Sequence, residues 1–107
     1  MAIIEVDETD FQEELSKGFS KGNPVILKFS SEYCDTCMAQ GFELEEIDEK
    51  YDNVTILEID CGESEQLADM YGIVQVPTMI IYKDEDTTLW NSEGVVLADD
   101  IVNIIGL

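Results

Sequence analysis

Residues 25–37 read VILKFSSEYCDTC, an apolar run followed, after a short polar turn, by two cysteines three positions apart. The run 25–29 is typical of a central strand buried on both faces, with Lys28 as its one charged interruption. Beyond it, Cys37, Gly41, Leu44, Ile47 and Tyr51 recur at helical spacing. This pattern predicts a helix from residue 34 to about residue 51, so the cysteines lie where a buried strand gives way to a helix.

The start of a helix is a favourable place for a reactive cysteine. Its first backbone amides have no partner within the helix and its dipole is positive there, and both effects stabilise a thiolate at Cys34. Because the two sulfurs lie on one helical turn, a disulfide between them can form and break with little backbone movement. We therefore predict Cys34 as the exposed nucleophile and Cys37 as the partly covered resolving thiol, in an exchange that needs no metal or cofactor.

The rest of the chain alternates short apolar strands with amphipathic helices. Strands are predicted at residues 2–6, 54–59, 78–82 and 87–91, and the last of these, an edge strand, carries Trp90. Helices are predicted after residue 9, at 64–71 and near the C-terminus, with Thr9 as the first N-cap and Gln12 completing a capping box. The order βαβαβαββα predicts a single α/β domain over residues 1–107, with a mixed sheet of about five strands and helices on both faces.

Composition narrows the possible functions. Asp and Glu number 25 against five Lys and Arg together, which gives a net charge of −20 and disfavours nucleic acids and anionic membranes as partners. The chain has no His, which excludes Ser-His-Asp catalysis and histidine metal sites. The N-terminal residues lack the basic and apolar regions of a signal peptide, and no apolar run is long enough to span a bilayer. We expect a soluble, cytoplasmic monomer.

Two motifs together resemble the thioredoxin family over almost the whole chain. They are FSSEYCDTC at residues 29–37 and YGIVQVPT at residues 71–78. The resemblance implies a thioredoxin fold in which a cis peptide bond precedes Pro77 and this proline faces the cysteine pair. It also implies that the backbone of Val76 pairs with an incoming peptide and that Gly94 flanks the same groove. The groove is then formed by Tyr33, Asp35, Thr36, Val76, Pro77 and Gly94.

The sequence departs from the family pattern at several positions, among them Tyr33, which stands where thioredoxins commonly have Trp. Asp35 and Thr36 stand where thioredoxins commonly have Gly-Pro, and the Asp35 charge opposes a thiolate at Cys34. Lys28 stands where the family often has a buried acid that moves protons for the resolving thiol. A charged Lys28 would stabilise a nearby thiolate, and a neutral Lys28 would accept the Cys37 proton. Alternatively, Lys28 pairs with an acid on the neighbouring strand, such as Glu58, and has a structural role only.

The chemistry and the resemblance lead to two hypotheses of different kinds. In the first, the protein is a thiol-disulfide oxidoreductase and electron carrier in cell redox homeostasis. It reduces protein disulfides through a reversible Cys34–Cys37 pair. A thioredoxin-reductase-like electron donor with a basic docking face then reduces this pair again. In a narrower form it is dedicated to one basic partner enzyme. In the second, the fold is an acidic docking module with little redox turnover. Zinc is disfavoured because Cys61 adds only a third thiol, and Cys61 is expected to be a small apolar residue or an incidental thiol.

Overall fold

The computed structural model describes residues 3–107 and contains a five-stranded sheet in the order β1-β3-β2-β4-β5. β1, β3 and β2 are parallel, whereas β4 is antiparallel to β2 and to β5. The predicted α/β order is confirmed, except that Ala2 lies outside the described residues. The elements are β1 (Ile3–Val6), α1 (Phe11–Ser20), β2 (Val25–Ser30), α2 (Asp35–Lys50), β3 (Thr55–Asp60), α3 (Glu65–Met70), β4 (Thr78–Asp84), β5 (Thr87–Glu93) and α4 (Ala98–Ile105).

Helices cover both faces of the sheet, because its central strands are apolar on both sides. On one face, α2 and α4 pack through Leu44, Ile47 and Ile101 against a cluster that includes Ile26 and Ile56. On the other face, α1 and α3 pack on a second cluster, whose sheet residues are Val25, Leu27, Phe29, Leu57, Ile59 and Ile80. No helix within residues 3–107 combines the length and the apolar character that crossing a bilayer requires.

The strand register brings three loops to one edge of the sheet. Phe29 of β2 lies opposite Thr78 of β4, and Thr78 lies opposite Glu93 of β5. Because β4 runs antiparallel to both neighbours, the chain leaves β2, enters β4 and leaves β5 at the same edge. The cysteine pair, Pro77 and Gly94 therefore follow or precede strand ends that lie side by side.

The first helix begins differently from the prediction. The N-cap of α1 is Asp10, and no side chain caps the helix, so the proposed Thr9 capping box is wrong. The Asp7 carboxylate instead accepts hydrogen bonds from the Thr9 amide (2.8 Å) and the Thr9 hydroxyl (2.5 Å). These bonds hold Thr9 in a turn, as short acidic side chains often do, and delay the helix by one residue.

Candidate functional site

A disulfide joins Cys34 and Cys37 at the start of α2, with their Cα atoms 5.2 Å apart. Cys34 is the N-cap residue, and its sulfur accepts a hydrogen bond from the Cys37 amide at 3.2 Å. Cys34 is half-buried, whereas Cys37 is only 4% exposed. The helix end thus directs an amide at the sulfur of the more accessible cysteine, and this arrangement suits a thiolate at Cys34.

The residues around Cys34 supply opposing electrostatic effects. The Thr36 hydroxyl lies 3.5 Å from the Cys34 sulfur, so it can donate to a thiolate there. The exposed Asp35 carboxylate, one residue from Cys34, disfavours negative charge on the same sulfur. Tyr33 precedes the pair with a φ of 59° and is 96% exposed, so its ring is available to a partner.

The second predicted motif lies at the neighbouring strand end. The Val76–Pro77 peptide bond is cis, which confirms the expectation drawn from the resemblance. The Gly94 amide donates to the Pro77 carbonyl at 2.8 Å, so these two predicted groove residues are in direct contact. Gly94 has a φ of 90°, a conformation that a residue with a side chain rarely adopts. The structure therefore brings Pro77 and Gly94 together at the edge of the sheet that carries the cysteines.

Gln40 is a site residue that sequence reasoning missed. It is fully buried in α2, its side-chain amide donates to the Val96 carbonyl at 3.0 Å, and its oxygen accepts from the Val96 amide at 2.7 Å. Glu43, one turn later, accepts from the Ala98 amide at 2.8 Å. Two side chains of α2 thus bind the segment that follows Gly94, and they fix this segment to the helix that carries the cysteines.

A charged pair lies beneath the disulfide. The Lys28 ammonium is 2.8 Å from the Glu58 carboxylate, and these residues are in register on β2 and β3. The pairing that the sequence offered as one alternative for Lys28 is therefore present. Both residues line a cleft of about 390 Å³ next to the cysteines. The other residues that line this cleft are Ser30, Ser31, Tyr33, Cys34, Asp35, Cys37 and Met38.

Cys61 stands apart from this site. It follows β3, is half-buried against the apolar cluster beneath α1 and α3, and forms no disulfide. Burial, with a smaller contribution from the Asp60 charge, raises the pKa of the Cys61 thiol. Among residues 3–107, no three His, Cys, Asp or Glu side chains are grouped as a metal would require.

Comparisons with known proteins agree with this geometry. The family model described as Thioredoxin matches residues 2–106. Thioredoxin of Bacillus subtilis is 32% identical over 85 residues, which cover 78% of this chain and 77% of that protein. Chloroplastic thioredoxin z has the same fold, with a TM-score of 0.85, 25% identity and coverage of 99% of this chain and 93% of the other.

Spinach chloroplast thioredoxin f, in its short form, is a further structural relative. It superposes with a TM-score of 0.83 at 27% identity, over 98% of this chain and 91% of that protein. The family match spans nearly all of the sequence, and the paired cysteines lie at the strand-to-helix junction of the shared fold. The chain therefore belongs to the thioredoxin family and is a thiol-disulfide oxidoreductase.

Proposed function

We propose that this protein reduces disulfide bonds in other proteins by cycling between the Cys34–Cys37 disulfide and the dithiol. One observation carries the proposal above all others. The disulfide joins Cys34, the more accessible cysteine, to Cys37, which is buried one turn away. The Cys34 sulfur also accepts a hydrogen bond from a backbone amide at the helix N-terminus. This asymmetry separates an attacking thiol from a resolving thiol.

The proposed cycle has two exchanges. The Cys34 thiolate attacks a target disulfide, forms a bond to one target sulfur and expels the other as a thiolate. Cys37 then attacks the Cys34 sulfur, forms the intramolecular disulfide and releases the second target thiolate. Two electrons pass from the dithiol to the target, and solvent supplies the protons that the target thiolates take up.

The charges around the site favour reduction of targets over their oxidation. A couple is more reducing when its thiolate form is less stabilised. Asp35 lies beside Cys34, and the chain carries a net charge of −20, so the local field opposes the thiolate. The Cys37 amide and the Thr36 hydroxyl act in the opposite direction over a short range. We expect the balance to leave the couple as reducing as the cytoplasmic thiol pool.

The electron donor in this proposal is a thioredoxin-reductase-like enzyme with a basic docking face. The acidic surface would attract such a face over several ångströms, and the exposed side chains of Tyr33 and Met38 at the cleft provide apolar contact once it has docked. Attraction between exposed charges is screened by salt. The association rate with the donor should therefore fall as ionic strength rises, and a rate insensitive to salt would exclude docking by charge.

The proposal also places the protein in the cytoplasm, where thiols are kept reduced, and treats it as a monomer. Two measurements on the intact cell and the purified protein check these points. Fractionation of cells should recover the protein with cytoplasmic markers, and size-exclusion chromatography with light scattering should give the mass of one chain, 12.0 kDa.

The primary experiment is an equilibrium redox titration of the Cys34–Cys37 couple. The protein is equilibrated in dithiol buffers of defined potential, alkylated and analysed by intact mass, with Cys61→Ser as the background so that only the site is counted. A reversible two-electron transition near the potential of the cytoplasmic thiol pool is expected.

Two other outcomes of this titration contradict the proposal in different ways. A strongly oxidising couple would reverse the direction of the reaction and make the protein a disulfide donor. The absence of any reversible disulfide would favour the acidic docking module, and a Cys34→Ser variant that keeps all cellular function would lead to the same conclusion.

A further inference from the structure

Gln40 is a polar side chain enclosed in the apolar interior, one helical turn after the buried Cys37. Both of its hydrogen bonds go to one residue of the loop after β5. The side-chain amide donates to the Val96 carbonyl at 3.0 Å, and the side-chain oxygen accepts from the Val96 amide at 2.7 Å. Val96 is itself buried, so its main-chain groups depend on these bonds. The pair of bonds fixes both the distance and the orientation of Val96 relative to α2.

The hydrogen bonds continue from Val96 to the turn before β4. Two residues before Val96, the Gly94 amide donates to the Pro77 carbonyl at 2.8 Å. Pro77 follows the cis peptide bond, and Thr78 begins β4 next to the end of β2. Segment 94–96 therefore connects the helix that carries the cysteines to the turn that contains Pro77.

Val76, within this turn, has main-chain groups available to a partner. Among residues 3–107, no hydrogen bond involves the Val76 amide or carbonyl. The Thr78 hydroxyl donates to the Gln75 carbonyl at 2.5 Å, so the turn is closed without using them. Unpaired main-chain groups beside a strand end can pair with an extended segment of another chain. A segment paired there lies close to the cysteines, because β2 and β4 are neighbours at this edge.

We propose that Gln40 is a positioning residue that determines how well the site accepts a disulfide carried by a protein chain. Its two bonds hold segment 94–96, and through Gly94 the turn at Val76, at one distance from the cysteine helix. The inference rests on the proposed function and assigns a specificity role within it. A small disulfide reaches Cys34 without lying along the turn, whereas a protein disulfide brings its flanking chain with it.

The expected effect is on binding and not on the exchange reaction. A loop that is ordered before the target arrives adds no ordering cost to binding. Without Gln40, the main-chain groups of Val96 lose their partners, and segment 94–96 samples positions that the target must then select among. Neither bond of Gln40 goes to a sulfur, so the reactivity of Cys34 does not depend on it directly.

The experiment compares disulfides of two sizes in single-turnover reactions. Reduced protein on a Cys61→Ser background is mixed either with insulin, whose disulfides are carried by a folded chain, or with hydroxyethyl disulfide, a small neutral molecule. Samples are quenched with acid, alkylated and analysed by intact mass. The dependence on insulin concentration gives a half-saturating concentration and a maximal rate.

The test variant is Gln40→Met, which keeps the length of the side chain and removes both hydrogen bonds. The matched control is Val25→Ala, which removes apolar contacts from the cluster beneath α1 and α3, at the end of β2 far from the cysteines. This control lowers stability without touching segment 94–96. All proteins are compared at a temperature at which each is fully folded.

We expect Gln40→Met to raise the half-saturating insulin concentration by about fivefold or more and to keep the maximal rate within about twofold. The rate constant with hydroxyethyl disulfide and the equilibrium constant for exchange with dithiothreitol should both stay within about twofold. Val25→Ala should leave all four quantities within about twofold. Hydrogen exchange of the Val96 amide, measured by NMR, should be faster in Gln40→Met by about tenfold or more.

Other results would overturn the inference. A half-saturating insulin concentration that is unchanged in Gln40→Met would do so, and so would equal slowing with both disulfides, which would locate the effect at the cysteines. The same increase in Val25→Ala would attribute it to lost stability. If Gln40→Met does not fold, the unsubstituted protein decides, because a Val96 amide that exchanges as fast as that of exposed Val95 is not held by Gln40. Failure of the proposed function looks different, since the parent protein then reduces neither disulfide.

Discussion

The two faces of the sheet differ in what they bury. The face beneath α1 and α3 holds apolar side chains and aromatic contacts such as Phe29 with Tyr71, whose ring centroids are 5.4 Å apart. The face beneath α2 and α4 also has an apolar cluster, yet it adds a buried lysine, its glutamate partner and the fully buried Gln40. The difference indicates that the first face holds mainly apolar packing, whereas the second combines packing with buried polar contacts on the side of the sheet that α2 covers.

The largest expected effect comes from two neighbouring residues of β2 that point to opposite faces. Leu27→Ala should lower the free energy of unfolding by about 2–5 kcal/mol, because it leaves a cavity in the apolar cluster. Lys28→Met combined with Glu58→Leu replaces the charged pair by apolar groups, and should leave stability unchanged or raise it by about 1–4 kcal/mol. Urea denaturation followed by circular dichroism measures both. A double variant as unstable as Leu27→Ala would break the contrast between the faces.

Gln40 tests whether the polar groups of the second face also contribute to stability. Gln40→Ala removes two hydrogen bonds and leaves the amide and carbonyl of Val96 unpaired, which should cost about 1–3 kcal/mol. Gln12→Ala is the control, because Gln12 is an exposed glutamine of α1 and should change stability by less than about 0.5 kcal/mol. Equal losses in the two variants, measured by urea denaturation, would show that the Val96 contacts contribute nothing.

A smaller effect distinguishes the thiols of the two faces. Burial raises the pKa of Cys61, so in the reduced protein its alkylation by iodoacetamide should be slower than that of Cys34 by about tenfold or more at mildly alkaline pH. Mass spectrometry of peptides taken at successive times measures both rates. Unfolding in urea removes the burial and should bring Cys61 to the rate of an ordinary thiol. A Cys61 rate that is the same folded and unfolded would contradict its packing on the apolar face.

The smallest effect concerns Tyr71 at high pH. Burial, helped by neighbouring Tyr82, raises the pKa of Tyr71 from its ordinary 10.0 to about 12. The native state therefore holds this proton more tightly than the unfolded chain. Its contribution to stability is complete below pH 10 and is lost as the pH rises through about 12. Urea midpoints across this interval should fall more steeply for the parent than for Tyr71→Phe, and parallel curves would contradict the prediction.

Much of the fold could be predicted because the spacing of apolar residues along the chain indicates which face of a helix or strand is buried. The apolar run in β2 and the spacing of Leu44 and Ile47 in α2 located the two elements that meet at the cysteines. The in-register pairing of Lys28 with Glu58 was also accessible, because a charge within a buried strand needs a partner on a neighbouring strand. The cis bond before Pro77 came from family resemblance and not from the residues themselves.

The remaining features depend on contacts that local pattern does not contain. Gln40 was missed because an apolar stripe excludes glutamine, and its partner Val96 is 56 residues away in the chain. The Thr9 capping box was wrong because the Asp7 carboxylate accepts from the Thr9 amide, which the Gln12 side chain would have to bind in a capping box. The left-handed backbone of Tyr33 has no signal in a residue type that ordinarily avoids it. Each of these is set by a specific neighbour and not by periodicity.

The location of the only tryptophan has a consequence for spectroscopy. Trp90 lies on the edge strand β5, where its indole N–H donates to the Ser92 hydroxyl at 2.7 Å. Trp90 is three residues before Glu93, and Glu93 lies at the end of the strand near the cysteines. About 10 Å of strand therefore separates the tryptophan from the site. Its fluorescence should therefore follow the loosening of β5 and respond little to opening of the disulfide. An optical signal for the redox state would need a tryptophan placed at Tyr33.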